Sequence, residues 1–190
     1  MQYFDNTFKL RLSHADKYKA HQAVDTLVQE RLNIKLPYSW RAVPYPGAEH
    51  YSIVQLRSSV QMKLPGEREV ALSLSQGALL QFRCNICSMI RVYEGKTGKR
   101  IGRIGSTQEV IDKLKSTAEK SGFELLTATE EQEQIFKIIK PQNRPFTLGH
   151  RELLMLVRVN DVALTEKAIV EGLGSKRIFG FGYLSDIEVL

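Results

Sequence analysis

His21 stands three residues after Tyr18 in a stretch whose apolar positions, Ala20, Ala23, Val24, Leu27 and Val28, recur at the spacing of one helical face. At about 100° per residue, the imidazole sits near a right angle from the centre of that stripe, on a flank shared with Tyr18 and Asp25. A ring at such a boundary reaches solvent and a ligand together, and its usual pKa of about 6.5 lets it give or take a proton near neutral pH. Tyr18, one turn earlier, can orient the ring or hydrogen-bond a phosphate oxygen. It reads equally as a partly buried helix tyrosine. Near the other end, residues 172–182 place four glycines around Ser175, Lys176 and Arg177. Glycine lets a backbone approach a ligand without a Cβ in the way, and exposed N–H groups of Gly174 and Ser175 beside two cations suit a phosphate backbone. The plain alternative is a tight helix-to-strand connection. A nucleotide-binding loop is excluded, because no Gly-Lys-Ser/Thr closes the segment and it ends a helix instead of starting one.

Lys96, Lys99, Arg100 and Arg103 form a basic cluster interleaved with glycines, suited to phosphates and otherwise a solvated hairpin tip. Lys140, Arg144, His150 and Arg151 make a weaker second one. Lys17, Lys19, Lys176 and Arg177 are candidate charges for a phosphoryl transition state. The 27 Lys+Arg against 21 Asp+Glu give a formal net charge of +6, a bias towards polyanions. Cys84 and Cys87 have C-x-x-C spacing, but no second pair completes a metal set. On a strand they point to opposite faces, so one thiol is expected buried and the other exposed. His14, His50 and His150 are scattered, so no metal or other cofactor is expected.

The elements follow from pattern. Residues 3–12 read as a strand, and Ser13 or Asp16 can cap a helix ending near Arg31. Residues 33–47, with Pro37, Pro44 and Pro46, read as a loop. Strands follow at 51–60, around Val70, Leu72 and Leu74, and at 79–93. Ser106 and Glu109 form a capping box for a helix that Ser121-Gly122 ends. Residues 123–127 and 134–139 read as a hairpin, 152–159 as a strand, 162–171 as a helix and 181–190 as the last strand. That order predicts an α+β fold of two successive units, 1–93 and 94–190, the first without a regular second helix. Hydrophobic residues at 43% and charged residues at 25% exclude a disordered chain. Apolar runs such as 153–157 fall far short of the ~20 residues of a membrane span. Two cysteines and an N-terminus without a secretory pattern point to the cytoplasm.

The segment from Gly172 to Leu184 matches, at each fixed place, the pattern Gly-h-Gly-x-x-(Lys/Arg)-x-h-Gly-h-Gly-h-Leu, where h is apolar, with Arg177 at the cationic position. That segment resembles the hallmark of CRISPR repeat-processing endoribonucleases of the RAMP superfamily. Tyr18-Lys19-Ala20-His21-Gln22, the Phe82-Arg83 strand and Gly98-Lys99-Arg100 are similar to the CasE (Cse3) branch. The chain departs from that branch at Cys84-Asn85-Ile86-Cys87, where Ala-Asn-Pro is usual, and around residues 65–74, which are shortened.

The resemblance implies two tandem ferredoxin-like (RRM-like) domains and metal-independent cleavage of CRISPR precursor RNA beside its repeat hairpin. It implies His21 as general base or acid for 2′-OH attack, leaving a 2′,3′-cyclic phosphate. It further implies that the protein stays on the guide RNA with other effector-complex subunits. Two rivals remain at this level: a non-catalytic RNA-binding subunit with an idle His21, and a basic ferredoxin-like protein acting on a small metabolite.

Overall fold

The computed structural model describes residues 1–32, 37–95, 100–139 and 145–190. Its first sheet has the order β2-β3-β1-β4, from β1 (Gln2–Leu10), β2 (Tyr38–Pro44), β3 (Ser52–Ser58) and β4 (Arg68–Ala71), all antiparallel. Helix α1 (Lys17–Leu32) lays Ala20, Val24 and Val28 on Trp40, Ala42, Val54 and Leu56, so the apolar stripe read from sequence is its buried face. The chain passes from β3 to β4 with no helix among the described residues, which is the expected missing second helix.

The second sheet has the order β10-β5-β9-β8. It joins β5 (Leu79–Cys87), β8 (Phe123–Ile138), β9 (Phe146–Val159) and β10 (Leu184–Val189), with α2 (Thr107–Lys120) and α3 (Val162–Glu171) in sequence between them. Both sheets share the 4-1-3-2 order of a ferredoxin-like unit. Leu80, Phe82, Cys84 and Ile86 of β5 meet Val110, Leu114 and Ala118 of α2 and Ala168 and Ile169 of α3 in one core. The hairpin of β6 (Met89–Tyr93) and β7 (Arg100–Ile104) stands out between β5 and α2.

Four expectations need correction. The boundary near residue 93 falls too late, because β5 pairs with β9 and β10; the sheets part between Ala71 and Leu79. Residues 38–44 are a strand, not a loop: β2 lies at a sheet edge, where Pro44 can end a strand without breaking the interior ladder. The expected hairpin at 123–139 is one 16-residue strand, which follows β9 through two register shifts. Both cysteines are buried. They do point to opposite faces, Cys84 towards the helices and Cys87 into a cluster with Phe136, Phe179 and Phe181, so both faces of β5 are covered.

Candidate functional site

Asp16 caps α1, its Oδ1 accepting from the Lys19 N–H at 3.2 Å. The half-buried His21 ring one turn further on meets the Phe179 ring edge-on, centroids 6.3 Å apart. Phe179 belongs to a short 3-10 turn (Arg177–Phe179) in the glycine-rich tail loop. The opening helix and the tail loop therefore converge. They share a cleft of about 390 Å³ lined by His21, Asp25, Tyr38, Trp40, Arg177 and Ile178.

Hydrogen bonds to β5 and within the loop fix its path. The Gly182 N–H donates to Asn85 O at 2.6 Å, the Asn85 amide donates to Gly180 O, and the Leu173 N–H donates to Gly182 O at 2.8 Å. At Gly182, with φ +84°, an added Cβ would stand 2.0 Å from Leu173 O, so this crossing admits only glycine. Arg177 folds back on the end of α3, donating to Glu171 O at 3.1 Å and lying 3.6 Å from its carboxylate. It thereby satisfies a terminal carbonyl of the helix while still facing the cleft. In the cleft wall the Tyr38 hydroxyl donates to Asp25 Oδ1 at 3.2 Å. Burial, reinforced by Asp25, pushes its pKa up, so Tyr38 stays protonated.

Ser175 and Lys176, with Gly174 all exposed, line a second and larger groove of about 1000 Å³ together with Arg91, Gly102, Lys113 and Phe146. Residues 175–178 thus separate the His21 cleft from a groove flanked by the β6–β7 hairpin and three cations. Asp25 was placed on the flank of His21 from sequence but given no role, and Tyr38, Trp40, Arg91, Lys113 and Phe146 were not singled out. The alternation of Tyr38, Trp40 and Ala42 was a usable strand signal, obscured by the flanking prolines.

Other candidates lie elsewhere. Tyr18 packs beside the Cys87, Phe136 and Phe179 cluster, with the Gln22 amide 3.4 Å from its hydroxyl. Lys17, expected at an RNA surface, is only 4% exposed, with Nζ 4.5 Å from the centre of the Phe136 ring. Burial lowers its pKa to about 8. Arg151, expected to grip RNA, has a 7% exposed side chain that pairs with Glu130 and, at 2.9 Å, with Glu133. It also donates to Gly105 O, so it ties β9 to the loop before α2 and has little charge left to offer. Exposed Arg103 pairs with Glu109, whose carboxyl is held down at about 2 by that bond and by the Ser106 N–H. Arg100 opens β7, but its side chain, like Lys96, Lys99 and Arg144, lies outside the described residues. Among the described residues no group of three His, Cys, Asp or Glu could hold a metal ion, and no helix is long and apolar enough to cross a membrane.

The model of one family, described as CRISPR associated protein, matches residues 5–185. The chain belongs to that family. Solved structures similar to this CRISPR-associated protein include Cas6e from Escherichia coli K-12, with a TM-score of 0.74, 16% identity and 100% of both chains covered. Thermus thermophilus Cse3, bound to an RNA representing a pre-cleavage complex, has a TM-score of 0.72 at 19% identity over 98% of each chain. A chain of a CRISPR RNA-guided surveillance complex reaches 0.69 at 16% identity, over 98% of this chain and 100% of that one. No curated protein matches in sequence. Likeness at such identities establishes the tandem ferredoxin-like fold.

Proposed function

We propose that this CRISPR-associated protein is a metal-independent endoribonuclease of the cytoplasm that cuts CRISPR precursor RNA within the repeat, beside its hairpin. One observation carries the reading: His21 and the glycine-rich loop line one cleft, and the same loop walls a cation-flanked groove. An RNA stem in that groove would meet Arg91, Lys113 and Lys176 through its phosphates, since A-form RNA hides its base edges. Lys96, Lys99 and Arg100, which follow β6 in sequence, are further candidate phosphate contacts. The strand leaving the hairpin would then cross the tail loop into the His21 cleft. The names of the similar structures, a Cse3 on a pre-cleavage RNA and a surveillance-complex chain, support both the substrate and retention of the product with effector subunits.

The chemistry needs little from the protein. The 2′-oxygen attacks the adjacent phosphorus, the bond to the 5′-oxygen breaks, and a 2′,3′-cyclic phosphate and a 5′-hydroxyl result. His21 takes the 2′-OH proton or supplies the one the leaving oxygen needs. Lys176 and Arg177 offset charge on the non-bridging oxygens, and backbone N–H groups of Gly174 and Ser175 can add hydrogen bonds. Tyr18 acts through the helix face it shares with His21.

The test is incubation with a cognate repeat RNA in excess EDTA, followed by end-group analysis. Fragments ending in a cyclic phosphate and a 5′-hydroxyl are expected. Cleavage that stops in EDTA, or that leaves a 3′-hydroxyl and a 5′-phosphate, would exclude this chemistry.

A further inference from the structure

The seam between the two units holds a second cavity, of about 80 Å³, whose walls come from α1, β2, β5, β8 and β9. At about 30 Å³ per water, that is room for two or three waters or one tetrahedral oxyanion. Lys17 reaches it from the first turn of α1, and His14 lies just before that turn. Arg41, Asn85, His150 and Glu152 contribute from the strands.

The polar groups of this cavity are incompletely satisfied. Lys17 is 4% exposed and pairs with no carboxylate among the described residues; its ammonium is met only by the faces of Phe136 and Phe181, at 4.5 and 5.9 Å. An ammonium withdrawn from water in this way needs a counter-charge or hydrogen-bond acceptors. His150, 8% exposed, has a buried Nδ1 with no hydrogen-bond partner among the described residues, and Asn85 Oδ1 is likewise buried without one. Lys17 Nζ, His150 Nδ1 and Asn85 Oδ1 are thus polar atoms of the wall that no described side chain satisfies.

Its charge follows from the same residues. After burial itself, Lys17 and Arg41, with His14 beside them, keep a proton off His150, so this ring is neutral next to two cations. Glu152 is the acidic residue of the wall, and Arg41 holds it at 3.0 Å. Setting that pair aside, Lys17 is the charge that faces the space, and the two imidazoles offer it neutral ring N–H groups.

We infer that this seam cavity binds a single phosphate-class oxyanion, with Lys17 as its principal cation and the edges of His14 and His150 as further donors. The ligand is either free phosphate or a phosphate of bound RNA. Either would tie the start of the His21-bearing helix to the strands of the second unit, across the joint that the two sheets otherwise share through side chains.

The first arm of the test uses the whole protein freed of RNA and inorganic phosphate as probe, so it stands independently of the nuclease reading. Calorimetric titration at constant ionic strength should show one saturable site, absent in Lys17→Met, which keeps the apolar stem and removes the charge. At ten times the Kd the thermal midpoint should rise by about 3–6 °C in the wild type alone. A rise that does not saturate, or that is equal in both proteins, is the general salting effect of phosphate and overturns the site. If Lys17→Met fails to fold, the wild-type titration decides alone, and no saturable heat means that water fills the cavity.

The second arm separates the sources with RNA-binding measurements. If the occupant is an RNA phosphate, free phosphate competes with RNA, and Lys17→Met weakens RNA affinity with a salt slope shallower by about one. If it is free phosphate, RNA affinity is the same in both proteins and insensitive to phosphate at fixed ionic strength.

Discussion

His150 shows how the seam fixes the charge of single residues. Burial, and then the charges of Lys17, Arg41 and His14, lower its pKa from 6.5 to about 4. Between those values the unfolded chain binds a proton that the folded chain refuses. Stability is therefore complete above about pH 6.5 and lost as the pH falls towards 4, by roughly 3 kcal/mol for this group. Urea unfolding across pH 4–7 should show that acid limb, and His150→Gln should flatten most of it. A remaining slope belongs in part to His14, whose pKa burial and Lys17 also lower. Equal limbs in both proteins would mean that His150 titrates normally in the fold. Lys17, a depressed amine, adds a change of the same sign at higher pH: stability rises between about pH 8 and 10.5.

At the scale of elements, the tail loop is where backbone geometry determines the site. Gly182 and Gly174 both have positive φ, of +84° and +74°, but differ in their surroundings. An added Cβ at Gly182 would strike Leu173 O, whereas at Gly174 nothing lies within 4 Å. Gly182→Ala should displace the loop from β5 and cost more than about 3 kcal/mol, while Gly174→Ala should cost only the strain of a left-handed residue, about 1–2 kcal/mol. Thermal unfolding of the two variants tests this, and equal losses would refute it. The same loop explains what could be read from sequence. Its glycine spacing was legible because positive φ and close crossings leave almost no other residue possible. The stripe of α1 was legible because its neighbours in sequence are its neighbours on one face. The sheet assignment of β5 was not, since pairing with Glu152 and Arg158 of β9 depends on residues some seventy positions away. Nor was the burial of Lys17 and Arg151, because a cation's type and spacing do not reveal which partner surface will cover it.

For the whole molecule, the distance between His21 and the tail loop depends on how the two units meet. Arg57 of β3 is buried in that contact. It pairs with Asp5 through two hydrogen bonds of 2.8 and 3.0 Å, donates to Leu184 O at 2.8 Å, and stacks between Tyr3 and Tyr183. Burial raises the Tyr183 hydroxyl to about 12, so it remains neutral beside the guanidinium. Arg57→Met leaves Asp5 and the β10 carbonyl without their donor and should cost about 3–5 kcal/mol. If the contact also sets the cleft, the folded variant at low temperature should cut RNA more slowly while holding it nearly as well. In the groove, Arg91→Ala and Lys176→Ala should weaken RNA binding across sequences alike, each reducing the salt slope by about one. Filter binding over a salt series checks this. The most direct measurement is single-turnover cleavage of a cognate repeat RNA in excess EDTA by wild type and His21→Ala, with hairpin affinity measured alongside. A rate about 10²–10⁴-fold lower in the variant, with affinity retained, is expected; cutting at the wild-type rate would exclude His21 as the general acid or base.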